Sequence, residues 1–373
     1  MNKKLISAIS ILSILSTVFI TVGAKADQQA PTLAILDTAI DTSLPIFKDK
    51  IVHEVCVLEW NSCPNGQKFM EGTGSATLPF NIISKNGFDH GTQMASVAIR
   101  TNPNIKIVFI RIIGNTSSGL RQSTGETGVS LALKWVSENQ SRFNIQAVAM
   151  SQANHNILTT LTDYCPATPM LRGTISTLVA KEVPVFFAAG NMRDLSRLSW
   201  PACINESISI GMADQYEQID NYSNFDKDRL DYYANGNMQV LIPGGEIRNA
   251  AGSSISTQVV AATWISIKSA KPGIPYAEVI NTLNLMSKPI KGARGQYGKL
   301  IPSSQIAITK QTPTATPPVT KTPEQLAAEA KANLILEANK AIAQAEAQYQ
   351  AEVKAASDKL AAIKAEWAKK ING

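Results

Sequence analysis

Between Thr32 and Ile308 short apolar runs alternate with stretches whose apolar positions recur every three or four residues. Leu33–Leu36, Ile51–Leu58, Ile105–Ile112, Ile145–Met150, Val183–Ala188, Ser207–Gly211 and Met238–Ile242 read as strands. Several are continuously apolar, as strands covered on both faces must be. Helical periodicity covers His90–Arg100, Val129–Asn139, Leu171–Lys181, Ser254–Ser269 and Ala277–Leu285. This alternation predicts an α/β fold built on a doubly wound, mostly parallel sheet. Ligand sites in such sheets lie beyond the carboxyl ends of strands, which directs attention to Asp37 and Asn191, each at or just past such an end.

Outside this region the pattern changes. Residues 309–323 are rich in Pro and Thr and read as an extended linker. Residues 324–373 are Ala-rich and balanced in charge, with Thr322-Pro323-Glu324-Gln325 as a helix start. Ile335, Ile342, Tyr349, Ala356 and Ile363 recur every seven residues, with Val353, Leu360 and Trp367 at the companion position. That is the seam of a long helix or coiled coil, into which Asn339 and Glu346 also fall. A seam of this kind suits self-association or docking on a cell-envelope component.

The first 26 residues read as a signal peptide. Lys3 and Lys4 precede an apolar stretch from Leu5 to Val22, and Ala24-Lys25-Ala26 forms an A-x-A cleavage site. Cleavage puts the mature start at Asp27 and the main domain at 27–308; the competing reading is an uncleaved anchor, since the run approaches spanning length. Either way the chain is secreted, periplasmic or envelope-associated. A hydrophobic fraction of 44% suits a packed core, and a formal charge of +6 without a long basic run argues against nucleic-acid binding.

Export makes the cysteines interpretable. Cys56, Cys63, Cys165 and Cys203 are an even number in an oxidising setting and allow three pairings. Cys56–Cys63 and Cys165–Cys203 are the pairing expected. The first closes a short loop holding Asn61, Pro64 and Gly66, and the second ties the segment before one helix to the loop after Asn191. A metal site would lack CxxC spacing and nearby histidines, so no metal ligands are assigned.

Four segments carry candidate chemistry: LAILDTAID with Asp37, HGTQMAS with His90, VPVFFAAGN with Asn191, and GSSISTQVV with Ser254. A strand-end carboxylate can hold a histidine's Nδ1–H and stabilise the imidazolium, though capping is the commoner fate of such an Asp. His90 opens a helix beside Gly91, whose missing side chain permits close approach; His53, within a strand, and His155, in a loop, fit a general base less well. Ser254 starts a helix, where a free backbone N–H and the dipole suit an attacking hydroxyl and its oxyanion, with Ser253 and Ser256 as rival hydroxyls. Asn191 offers a side-chain amide for an oxyanion, or a simple turn after Gly190.

Together, and in the order Asp…His…Ser, these segments resemble the subtilisin-like serine proteases, the subtilase family, over Leu33 to Ala307. The resemblance extends to IKIVFIRIIG, ALKWVSEN, SWPACINESISIGMAD and YSNF…LIPGG, the PAC…ISIG stretch with Cys165 being that of a bacterial subgroup. It implies an endopeptidase acting on polypeptide substrates with Ser254 as nucleophile, His90 as base, Asp37 as orienting carboxylate and Asn191 as oxyanion donor. It also implies that Ser118 and Gly119, with Ser151, Gln152 and Ala153, flank the substrate backbone as extended strands. No cofactor is required. Structural calcium, common in the family, has no support: the His-Pro-Asp run reads Leu44-Pro45-Ile46, without the carboxylate. Further departures are Ala39 for Gly, Gln93 for a second His, Ser151-Gln152-Ala153-Asn154 for Ser-Leu-Gly-Gly, and Gln258 for Pro. About ten residues separate the expected mature start from Asp37, leaving no room for an inhibitory prodomain. Two classes compete: an active secreted endopeptidase, and a pseudoprotease scaffold anchored or oligomerised by its helical tail. Retention of all four chemical groups favours the first.

Overall fold

The computed structural model describes residues 29–314 except 86, 117–118, 123, 155–164, 166 and 308, together with isolated helical positions at Gln348, Lys354 and Lys359. The expected signal segment, most of the expected linker and the expected heptad seam lie outside the described residues.

The chain runs β1 (Thr32–Asp37), β2 (Ile51–Val57), β3 (Phe69–Glu71), α1 (Phe80–Ile83), α2 (His90–Thr101), β4 (Lys106–Arg111), β5 (Gly114–Asn115) and β6 (Arg121–Gln122). It continues with α3 (Glu126–Asn139), β7 (Ile145–Met150), α4 (Pro169–Ala180), β8 (Val185–Ala188), β9 (Ile208–Ala213), β10 (Tyr232–Asn235), β11 (Asn237–Leu241) and β12 (Ile247–Ala251). Helices α5 (Ser253–Ala270) and α6 (Tyr276–Met286) precede β13 (Lys288–Lys291) and β14 (Tyr297–Leu300). Ten strands form one sheet in the order β13-β14-β10-β9-β8-β7-β1-β4-β2-β3. Its pairings are parallel except at the two edges, β2–β3 and β13–β14. From β1 the chain first goes outward to β2 and the edge strand β3, comes back to place β4 between β1 and β2, then crosses to β7 and builds the other way. The reversal at β1 and β7 opens a crevice at their carboxyl ends.

The expected α/β architecture is therefore the observed one. In β1 alternate residues serve opposite faces: Leu33 and Ile35 pack with α2, α5 and α6, whereas Ala34 and Leu36 pack with α3 and α4. Both faces are covered, hence the unbroken apolar run. Helix α5 is buried nearly all round, and its Ser, Thr and Ala positions let it cross the sheet closely; Trp264 fills the space beneath and donates Nε1–H to the Gln146 carbonyl at 2.9 Å.

One predicted strand is placed differently. Met238–Ile242 becomes β11, which pairs antiparallel with β12 as a separate two-stranded ribbon. Its burial alternates, Met238 and Val240 inward and Gln239 outward, as one covered face requires. The parallel strand in that part of the chain is β10, whose short Tyr-Tyr-Ala-Asn sequence carries no apolar run.

Both expected disulfides, Cys56–Cys63 and Cys165–Cys203, are present, with Cα separations of 5.9 and 5.6 Å. The second spans 38 residues, a loop whose closure is worth about 4 kcal/mol in the chain-entropy model. After β14 the chain stays on the body. Gln311 N–H donates to the Gly245 carbonyl at 2.9 Å, Thr314 N–H donates to the Ser43 carbonyl at 3.0 Å, and Gln311 Oε1 accepts from Ile46 N–H at 2.8 Å.

His53 on β2 stacks on Phe143, with ring centroids 4.6 Å apart, and on Trp135 at 5.9 Å. Burial pushes its imidazole below the ordinary histidine value of 6.5, and nearby Glu71 only partly opposes the shift. A folded state that resists protonation loses stability as pH falls through 6.5 towards the lowered folded value. Denaturation at pH 7.5 and 5.5 is therefore expected to show a smaller acid-side loss in His53→Phe than in the natural protein.

Candidate active site

Asp37 closes β1 as a fully buried carboxylate at the crevice. The next residue, Thr38, joins it to α2. Its hydroxyl donates to the Phe88 carbonyl at 2.8 Å and accepts Gly91 N–H at 2.9 Å, so the first turn of α2 is fixed to the strand end. Asp41 N–H adds a bond to Thr92 Oγ1 at 3.0 Å. Gly91 is needed here, because a Cβ would stand 2.4 Å from the Ala39 carbonyl oxygen and 2.6 Å from the Phe109 ring. That approach brings His90 Nδ1 to 2.8 Å from Asp37 Oδ1. An acceptor facing Nδ1 selects the tautomer with hydrogen there and leaves the Nε2 lone pair available.

Ser254 lies in the first turn of α5, where backbone N–H groups have no partner within the helix. Its two rivals are committed elsewhere. Ser253 Oγ accepts Gly190 N–H at 3.1 Å, and Ser256 Oγ donates to the Ala234 carbonyl at 2.8 Å; both are buried. Ser254 is half-buried and lines the cleft, its hydroxyl donating to the Ser151 carbonyl at 3.1 Å. Among the described residues no hydrogen bond joins Ser254 to His90.

Asn191 follows β8 and Gly190. Its carbonyl Oδ1 accepts Ser253 N–H at 2.9 Å, which leaves the Nδ2 amide free to donate on the same side as the start of α5. Gly190 sets this position with φ +103°, and a Cβ there would fall 2.1 Å from Ser199 Oγ and 2.7 Å from Asn224 Nδ2.

His90, Asn191 and Ser254 line one cleft of about 590 Å³, together with Ser151, Gln152 and Ala153. Gly119 sits beyond β5 with φ +77° and open space around it, and Ser118 lies outside the described residues. Ala153 is exposed to the cleft, in keeping with a substrate-flanking role. Gln152 turns inward instead. Arg121 donates to its Oε1, so the amide must direct Nε2 at Asp37 Oδ1, 2.9 Å away and 3.0 Å from His90 Nδ1. Asp37 Oδ1 thus accepts Thr38 N–H, His90 and Gln152 together. Gln258 buries an amide under the site, donating to Ser151 Oγ at 3.0 Å, while Ser151 Oγ donates to the Ser254 carbonyl at 3.0 Å. Sequence reasoning gave Thr38 no role and treated Gln258 as a tolerated replacement; side-chain amides carry no pattern that reveals their partners. Among the described residues no three His, Cys, Asp or Glu side chains converge to hold a metal ion.

A buried carboxylate bonded to an imidazole, in a cleft with a serine at a helix start, is the layout of a serine hydrolase on a parallel sheet. Residues 28–299 match the family profile described as "Subtilase family". The chain belongs to the subtilase family and is a serine-type endopeptidase acting on polypeptides. It is 23% identical over 251 residues to the major intracellular serine protease of Bacillus subtilis (strain 168), covering 64% of this chain and 68% of that one. It is also 23% identical over 244 residues to an alkaline protease of Alkalihalobacillus alcalophilus, covering 63% of this chain and 58% of that one. The fold is similar to that of a cold adapted subtilisin-like serine proteinase, with TM-score 0.55 at 18% identity over 74% of this chain and 90% of the other.

The constraint at Gly190 gives a direct check. Gly190→Ala is expected to cost on the order of 2 kcal/mol or more, from a strained φ and a clash with Ser199. Chemical denaturation would register it as a lowered midpoint; an unchanged midpoint would show that the Ser199 and Asn224 side chains can move aside.

Proposed function

We propose that the chain is an exported endopeptidase in which Ser254 attacks the scissile carbonyl. His90 takes the serine proton and later delivers it to the leaving amine, and Asp37 orients and stabilises the imidazolium. The observation that carries this reading is the 2.8 Å Asp37–His90 bond, buried on the carboxylate side and opening into the cleft that holds Ser254. Attack requires the Ser254 hydroxyl to leave the Ser151 carbonyl and turn to His90 Nε2, a rotation about χ1; catalytic bonds of this kind often form only once substrate is bound. Asn191 Nδ2 and Ser254 N–H then receive the oxyanion. The Ser253 N–H bond to Asn191 Oδ1 supports this role, because it fixes which end of the amide faces the start of α5.

Export rests on the N-terminal pattern of Lys3, Lys4, the apolar run and Ala24-Lys25-Ala26, and two disulfides agree with an oxidising destination. The heptad seam of residues 324–373 supports a tethering or self-associating tail.

Labelling of the full chain with a fluorophosphonate, followed by peptide mapping, tests the nucleophile. The adduct is expected on Ser254, and Ser254→Ala and His90→Ala are each expected to lose hydrolysis by at least about a thousand-fold, since these groups act as a unit. Asn191→Ala is expected to lower turnover by about 10²–10³ with little change in KM, the range that loss of such a donor costs in subtilisin itself. Hydrolysis that persists in Ser254→Ala would reject this mechanism. A natural protein that takes no label and cuts no peptide would be the pseudoprotease scaffold.

A further inference from the structure

Among the described residues lining the cleft beside His90, one charged side chain goes unused by the hydrolytic chemistry. Arg121, on β6, reaches past the loop that precedes α2 and donates from Nη2 to Gln152 Oε1. Its guanidinium lies against the backbone at Gly87, where a Cβ would stand 3.0 Å from Nη1 and 3.4 Å from Cδ. Gln152 in turn donates to Asp37, so the cation is fixed next to the reacting groups and not merely displayed on a loop.

Charge balance around it is one-sided. Among the described residues lining the cleft, Arg121 is the only Lys or Arg, and none is Asp or Glu. The nearby carboxylates are engaged by other donors. Asp37 accepts three N–H groups, Asp89 is bonded to Arg248 and Gln93, and Glu59 accepts the N–H groups of Gly125 and Gly128. Arg121 makes no ion pair among the described residues, and Gln152 uses one of its five N–H donors. A guanidinium in this condition offers the planar fork that binds a carboxylate through two parallel bonds. Its neutral anchor, Gln152, keeps the fork in place without neutralising it.

We propose that Arg121 is a specificity-determining residue, and that the cleft takes peptides bearing an Asp or Glu side chain within a few residues of the scissile bond, on the His90 side. A substrate Lys or Arg at the same place is opposed by charge and finds no carboxylate to pair with among the described residues lining the cleft. This inference rests on the endopeptidase reading above, and the test separates the two.

The sites that the full chain cuts in a mixed peptide library are mapped by mass spectrometry. Matched peptides with Glu, Gln or Lys at the enriched position, all amidated at the C-terminus so that only side-chain carboxylates are read, are then compared. Asp and Glu are expected to be enriched at one position, with kcat/KM for the Glu peptide about ten-fold above Gln and higher still above Lys. Arg121→Gln is expected to flatten the series and Arg121→Glu to invert the order of Glu and Lys, each read as a ratio of kcat/KM values within one variant so that any change in overall activity cancels. Inversion is the outcome that a merely structural arginine would not produce. No acidic enrichment, or the same order in Arg121→Glu as in the natural protein, overturns the proposal. A natural protein without labelling or hydrolysis refutes the endopeptidase reading instead. The specificity is then read by fluorescence anisotropy with Ser254→Ala and fluorescein-labelled, alanine-rich decapeptides carrying Glu, Gln or Lys at alternate positions, where equal binding of the three overturns it.

Discussion

The closeness of two backbones governs this site. Helix α2 begins against the end of β1 so tightly that no side chain fits at Gly91, and Thr38 binds both the carbonyl before the helix and an N–H inside its first turn. Asp37 and His90 belong to different elements 53 residues apart, yet their 2.8 Å bond follows from that one junction. A hydrogen bond to a buried carboxylate is worth having only if its partner is already in place, because ordering a free side chain would consume much of the gain. Here the strand fixes one partner, the helix the other, and Thr38 the distance between them. Ser254 and Asn191 are set by the same logic at the next junction, where Gly190, Ser253 and Asn191 exchange bonds around the start of α5.

How much of this was legible in the sequence follows from the kind of signal each residue leaves. The parallel strands could be read because burial on both faces forces unbroken apolar runs, as in β1, β4 and β7. Strand β10 was not legible: Tyr232 and Tyr233 are buried, but Asn235 and its flanking residues erase the run. The small residues around the site were readable as signals of close approach, and Gly91 and Gly190 sit where a Cβ cannot. The direction of a long polar side chain was not. Gln152 occupies the segment expected to flank substrate, and only three-dimensional placement shows its amide bridging Arg121 to the Asp37–His90 pair. The disulfides were accessible because an even count behind an N-terminus that reads as an export signal leaves few alternatives.

Two glutamines stand where the family pattern has Leu and Pro, at 152 and 258. Both are buried, and both spend their amides on the site: one on Asp37, the other on Ser151. A buried amide is costly unless bonded, so a pair of them beneath a cleft couples the packing of that region to its polar chemistry. Ser151 shows the coupling most clearly. Its hydroxyl receives Gln258 and gives to the Ser254 carbonyl, while its own carbonyl receives the Ser254 hydroxyl. The strand that flanks the cleft and the helix that carries the serine are thereby joined by reciprocal bonds, and a change in either residue type would be felt at the other.

The far wall of the cleft depends on a different device. Hairpin β5–β6 is too short to hold its own shape, with two residues in each strand. The loop closed by Cys56–Cys63 supports it: Asn61 Nδ2 donates to Gln122 Oε1, and the Trp60 carbonyl stands 2.7 Å from where a Cβ on Gly114 would be. From the same loop Glu59 accepts two N–H groups at the start of α3, at 2.6 and 3.3 Å, where a negative charge also complements the helix dipole. A cross-linked loop of this size has little freedom left to lose when it makes these contacts. The hairpin that carries Arg121 is therefore fixed through a covalent closure on one side and through Gln152 on the other. The cation stands at a defined place relative to His90 although it lies on one of the smallest elements of the fold.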